Sequence, residues 1–298
     1  MKTLFIATIG GGLLFTLLQA LTGMVLGPLD VALPAGMLPW LLLANVLLAG
    51  VLAWCARRSV WYGWPLAAAL FAIGYGIGQA NSLIEAYFFA VLPRAGLLQQ
   101  IFVRSLVPAV LICPAIVWLT GRVSTPRATT ATPPERAATE WATRFAVCCV
   151  AYVILYFAAG TIIFPYVQPF YAQLPLPPTG TLILLQLFVR GPLFVAIGLL
   201  MVRMAPGSRV EHALAVGIAM SVLGGVVPLL VPNPFLPDYV RWAHMAEVAS
   251  SNLVFGGIVG WLLGGSVSAH DPRVTTARDP RSAGGSARPY DYVPQKVR

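Results

Sequence analysis

Eight stretches of this chain stay apolar over lengths that fit a lipid bilayer. They run from about Leu4 to Leu26, Leu38 to Ala56, Pro65 to Leu92, Val103 to Leu119, Trp141 to Phe164, Thr181 to Val202, Ala213 to Val231 and Ala243 to Leu263. A hydrocarbon core about 30 Å thick is crossed by about 20 mostly apolar helical residues. Inside it each backbone N–H and C=O must be satisfied within the protein, which a helix does by itself. The fold class this dictates is all-α: a polytopic membrane helix bundle of eight transmembrane helices, occupying residues 1–265. Charge content agrees, since 10% of the 298 residues are charged, against about 25% in an average soluble domain.

An even number of spans returns both termini to one side. That side collects Lys2, Arg57, Arg58, Arg122, Arg127, Arg136, Arg144, Arg203, Arg209 and the six basic residues of the tail, whereas Arg94, Arg104 and Arg241 fall on the other. Cytoplasmic loops hold the Lys/Arg excess, so the N and C termini are expected in the cytoplasm and the chain in a cell's inner (plasma) membrane. The preference for Arg over Lys, with abundant Ala, Gly and Pro, points to a GC-rich bacterial genome. The net charge of +9 then expresses orientation. Its expected partner is the bilayer itself, with anionic lipids at the cytoplasmic face, and nucleic acid is not expected. The first segment reads as a retained helix: about 23 residues exceed the 7 to 15 of a signal-peptide core, and Leu18 stands where cleavage wants a small residue.

Two segments are too poor in large aliphatic residues to offset ordering entropy: the loop over 122–140 and the basic tail over 266–298, which carries Tyr290 and Tyr292. Both are expected to be disordered and cytoplasmic. The opposite-side connections "FPYVQPFYAQLPLPPTG" and "VPNPFLPDYVRW" combine Pro with Phe and Tyr and are expected to form ordered caps on the outer rim. The long central loop separates two four-helix halves. "LPAGMLPWLLLANVLLAG" against "LPPTGTLILLQLFVRGPL" is the best match between them, too slight to establish a repeat.

Ionisable residues inside spans carry the functional information because they are costly there, about 2.5–3.5 kcal/mol for an Arg at a helix centre. Arg190 sits mid-span in "TLILLQLFVRGPLFVAIGLLM", four residues after Gln186 and just before Gly191-Pro192. Proline removes a backbone donor and frees the carbonyl of Phe188. In "GYGIGQANSLIEAYFF", helical spacing puts Gly74, Gly78, Asn81, Ser82 and Glu85 on one face, with the glycines admitting a close neighbour. In the last span, Arg241, His244, Glu247, Ser251 and Asn252 form a stripe of roughly 140°. Arg241 is expected to anchor the rim, and Arg190 to pair with Glu85 or Glu247. The candidate pathway is therefore Glu85, Arg190, His244, Glu247, Asn81, Gln186, Ser251 and Asn252. His212 and His270 are expected to be solvated.

Reaction motifs are missing. There is no H-E-x-x-H zinc motif and no G-x-x-x-x-G-K-[ST] phosphate loop, and Glu85 lacks the neighbouring glutamate of the membrane-embedded prenyl-protein endopeptidases. Cys55, Cys113, Cys148 and Cys149 have neither disulfide nor zinc spacing, so no metal and no cofactor is expected. The residues read best as an outward-opening polar site for proton- or ion-coupled passage of an unidentified small solute. Glu85 and Glu247 would exchange protons or cations, Arg190 would balance charge or hold an anionic group, and His244 would relay protons at the mouth. The alternatives are an intramembrane enzyme acting on a lipid or lipid-linked substrate, and a non-catalytic assembly or sensor subunit whose charges are structural. No oligomeric state is read from the chain.

Overall fold

The computed structural model describes residues 2–27, 29, 31–92, 95–124, 130–131, 136–265 and 269–270. Eight of its helices are long and apolar enough to cross a membrane. They are α1 (Lys2–Leu26), α2 (Met37–Arg58), α3 (Gly63–Phe88), α4 (Gly96–Leu119), α5 (Ala138–Tyr171), α6 (Thr179–Met204), α7 (Arg209–Leu230) and α8 (Asp238–Leu263). This is the architecture of a multi-pass helical membrane protein. Contacts among the described residues bring 59–62, 120–124, 136–137 and 205–208 together with the start of α1 and the end of α8, at what we term the terminal end. The described residues of 31–36, 89–92, 172–178 and 231–237 lie at the distal end.

Helices α1 to α4 pack on one another, as do α5 to α8, and the two groups join where α3 meets α6 and α7 and where α2 meets α7. The tightest seam is α7 against α8. There a Cβ added at Gly260 would fall 2.3 Å from the His212 carbonyl oxygen, and one at Gly225 would fall 2.5 Å from the Ala249 Cα. Only glycine lets those backbones touch. Large apolar side chains on the outside, such as Ile154, Ile162, Leu214 and Val254, are exposed, as lipid-facing positions should be.

Four helices end under an arginine from another part of the chain. The last carbonyls of a helix lack intrahelical donors and sit at its negative pole, and a guanidinium answers both needs. Arg104 donates to Leu26 at the end of α1 (3.1 Å), and Arg122 to Arg57 in the last turn of α2. Arg241 donates to Leu229 (3.0 Å) and Leu230 (2.9 Å) of α7. Arg144 and Arg136 serve Leu262, Leu263 and Gly264 at the end of α8, with Glu140 bridging the two arginines.

Two expectations are corrected here. Arg241 is not a rim anchor but a buried cap, 2% exposed, also held by Asp238 (2.8 Å) and stacked over Trp242. His212 is buried rather than solvated, because the first turn of α7 tucks under the end of α8; its Nε2 lies 3.0 Å from the Ala205 carbonyl oxygen. α5 also runs further than its apolar core. It continues through Pro165 and Pro169 to Tyr171 with both prolines on the exposed side and Val167 buried, so part of the expected distal cap is helix. At its other end α5 begins at Ala138, inside the loop expected over 122–140. Thr130–Ala131 pairs antiparallel with Ala269–His270. The rest of the expected disordered segments, with Arg127, Tyr290 and Tyr292, lies mainly outside the described residues, as does Arg94 of the opposite side.

Candidate functional site

Three spans widen into π-helical turns: α3 over Ala72–Ala80, α6 over Gln186–Arg190 and α7 over Val222–Val226. The sequence accounts for two of them in the same way. Pro192 and Pro228 cannot donate to the carbonyl four residues back, and in each case the residue just before the proline reaches five back instead, Gly191 to Gln186 and Val227 to Val222. In α3 the widened stretch holds Gly74, Gly76 and Gly78. Gly74 faces Leu52 of α2, and a Cβ at Gly78 would approach the Leu223 carbonyl oxygen of α7 to 2.9 Å. The widened parts of α3 and α7 pack together. Each wide turn holds an extra residue and re-aims the helix beyond it, which is why such turns recur at functional sites.

Arg190 occupies the junction between the two four-helix groups. Its Nε donates to Asn81 Oδ1 (2.8 Å) and its Nη1 to Gln186 Oε1 (3.1 Å). Nη1 and Nη2 reach Glu85 Oε1 and Oε2, both at 3.3 Å. The rings of Tyr152 and Tyr156 flank the guanidinium at 5.8 and 5.6 Å, inside cation–π range. The pair is asymmetric in burial: the Arg190 side chain is 4% exposed and that of Glu85 37%. Arg190 lies eleven residues from the distal end of α6 and Glu85 three from that of α3, so the guanidinium reaches toward the distal end to meet its acid. Gln186 is fully buried, and its Nε2 has no hydrogen-bond partner. Its orientation is settled by chemistry, because the oxygen must face the guanidinium and the amide hydrogens must point away.

Of the two acids expected beside Arg190, Glu85 is there and Glu247 is not. Glu247 Oε2 lies 2.7 Å from His244 Nδ1, and His244 Nε2 lies 2.8 Å from the Tyr171 hydroxyl, forming a three-member chain from α8 to α5. Tyr171 also meets Phe89 edge to face at 6.0 Å, which ties this chain to the distal end of α3. Tyr156 and Tyr171 both lie within electrostatic reach of Glu85 and Glu247, so the two polar clusters share one region. Ser251 and Asn252 do not join it. Ser251 bonds weakly to Val248 of its own helix (3.4 Å), and Asn252 turns to the Met220 carbonyl just ahead of the wide turn of α7 (3.4 Å).

The α5 wall was missed from the sequence. Tyr152 and Tyr156 stand four apart in "AYVILYFAAG", a spacing that puts two hydroxyl-bearing rings on one face, and that was the available signal. Among the described residues no three His, Cys, Asp or Glu side chains gather as a metal site would need. Compared with known proteins, the chain matches no family model, no curated protein and no solved structure.

The site can hold a buried positive charge neutralised by a partly exposed acid, beside a hydrogen-bonded chain of groups able to carry a proton. Nothing in it presents an activated serine or cysteine nucleophile.

Proposed function

We propose that the protein carries a small solute across the membrane in exchange with, or together with, protons, and that Glu85 is the group whose protonation frees Arg190. In this reading the distal end faces outward, toward the non-cytoplasmic side. The observation that carries it is the unequal burial of the ion pair. A buried charge pair repays its desolvation only where the geometry is tight and the remaining donors and acceptors are satisfied. Here the base is buried, the acid is partly exposed, and their contacts are longer than the 2.7–2.9 Å typical of charge-assisted bonds. Glu247, His244 and Tyr171 supply a route by which a proton moves between the distal surface and this pair, consistent with the role of intramembrane carboxylates and histidines in proton relays. The pair also joins α3 of the first group to α6 of the second, so breaking it bears on how the two groups sit together, and Pro-interrupted α6 resembles the broken helices of carriers.

The test is uptake into proteoliposomes from a panel of radiolabelled amino acids, sugars and carboxylates under an imposed pH gradient. At least one solute should accumulate faster with the gradient than without it, and Glu85→Gln and Glu247→Gln should remove that acceleration. Flux equal to that of protein-free liposomes for the whole panel overturns the reading.

A second reading, an intramembrane enzyme acting on a lipid or lipid-linked substrate, draws on the Glu247–His244–Tyr171 chain. It orders acid, imidazole and hydroxyl as a general-base relay does. Chemical change of lipid in the same proteoliposomes, lost in His244→Ala, would favour it.

A further inference from the structure

Arg190 is held in place by groups other than its counter-ion. Asn81 at 2.8 Å and Gln186 at 3.1 Å fix the plane of the guanidinium through neutral side chains. Asn81 is 3% exposed and Gln186 fully buried. The fork of Nη1 and Nη2 that this orientation presents meets two coplanar oxygens, one per nitrogen, both at 3.3 Å. That is the bidentate geometry by which arginine recognises a carboxylate. The present occupant is the more exposed member of the pair and sits on a different helix group. Beside the fork, the Gln186 amide has two N–H donors in a fully buried position with nothing to accept them. An unanswered buried donor is costly, and an acceptor delivered by a ligand would remove that cost. Glu85 alone leaves the Gln186 donor unanswered.

We propose that this constellation is a carboxylate site: the solute is a small water-borne carboxylate that trades places with Glu85 on Arg190 and carries a second acceptor for Gln186 Nε2. The proposal rests on the transport reading and adds the chemical class of its solute. Exchange runs as follows. Glu85 takes up a proton and gives up the guanidinium, the entering carboxylate takes the fork, and net charge around Arg190 is unchanged. The rings of Tyr152 and Tyr156, on one face of α5, give the cation an apolar wall, which favours a compact planar anion. Entry is from the distal end, where Glu85 is partly exposed and where Tyr171, His244 and Glu247 make the surroundings polar, a path suited to a ligand arriving from water.

The experiment is calorimetric titration of the full chain in detergent micelles with sodium acetate, its neutral isostere acetamide, inorganic phosphate, and laurate. Acetate is expected to bind, acetamide to be at least tenfold weaker, and phosphate and laurate to bind no better than acetate. Glu85→Gln removes the competing anion and should tighten acetate by about tenfold, or 1.4 kcal/mol. Acidification should tighten it in the wild type and change it little in Glu85→Gln. Arg190→Lys should lose it. A gain of binding in Glu85→Gln cannot come from misfolding, so that variant decides the matter even if Arg190→Lys fails to fold. The proposal is overturned if acetamide equals acetate, if Glu85→Gln binds no tighter, or if phosphate or laurate is preferred. Acetate binding without flux of any solute sinks the transport reading alone. Proton-driven flux of a solute with which acetate does not compete sinks this inference alone.

Discussion

Removing Glu85 should destabilise the bundle through Arg190, and the size of the effect can be worked from the geometry. In Glu85→Leu the guanidinium, 4% exposed, keeps only the neutral oxygens of Asn81 and Gln186. Breaking a buried ion pair by deleting one partner costs about 3–5 kcal/mol. Because Glu85 is 37% exposed, solvent screens part of the attraction, and the lower end, about 3 kcal/mol, is expected. At roughly 2–4 °C per kcal/mol for a domain of this size, Tm should fall by about 6–12 °C. Arg190→Met leaves Asn81 Oδ1 and Gln186 Oε1 without donors, at about 1–3 kcal/mol each, while Glu85 turns to water. The double variant suffers that second loss but not the first, so the two changes should fall short of additivity by about 2–3 kcal/mol. The assay is reversible SDS unfolding in dodecylmaltoside micelles of the wild type, both single variants and the double, followed by circular dichroism. A coupling below about 0.5 kcal/mol, the level of independent sites, would refute the claim that the two charges hold each other.

Three further outcomes are expected. Gly260→Ala, whose new Cβ meets the His212 backbone at 2.3 Å, should part α7 from α8 and cost about 2–3 kcal/mol by overpacking; Gly257→Ala, with open space around its Cβ, should be neutral or slightly stabilising by the same unfolding assay. Arg241→Ala strips the cap from Leu229 and Leu230 and should cost about 2–4 kcal/mol, since bonds to a charged donor contribute about 1.5–3 kcal/mol each. Arg241→Lys should recover only part of it, because an ammonium lacks the guanidinium fork. Tyr171→Phe should leave stability within about 1 kcal/mol yet slow proton-driven flux by roughly 100-fold, the lower range for a lost proton-transfer group; unchanged flux would remove Tyr171 from the relay.

The number of spans could be read from sequence because lipid imposes a length and an apolarity that few other environments demand. The Arg190–Glu85 contact was legible for a related reason, since a guanidinium in mid-span must find an acceptor, and few carboxylates lie in spans at all. What stayed hidden depended on which helices meet. Arg241 looked like a surface residue because the carbonyls it caps belong to α7, and the sequence does not show which face of α8 turns toward them. Glu247 was as good a partner for Arg190 as Glu85 until the fold placed His244 and Tyr171 around it. Tyr152 and Tyr156 resemble ordinary packing aromatics, and only their proximity to a cation sets them apart. Pro165 and Pro169 fall in the segment expected to cap the outer rim, yet on the exposed side of α5 the carbonyls they release can be satisfied outside the bundle, and the helix runs on to deliver Tyr171.

The central claim is that Glu85 leaves Arg190 by taking a proton while the bundle stays folded. Infrared difference spectroscopy on reconstituted protein, stepped from neutral to acidic buffer, reads this directly. Over the signal of the other acids, the account predicts a protonated-carboxyl C=O component that grows with acidification, strengthens when carbonyl-labelled acetate is added, and is missing in Glu85→Gln, with the amide I band of the helices unchanged. The same band in Glu85→Gln, or one that emerges only as the helices melt, would contradict it.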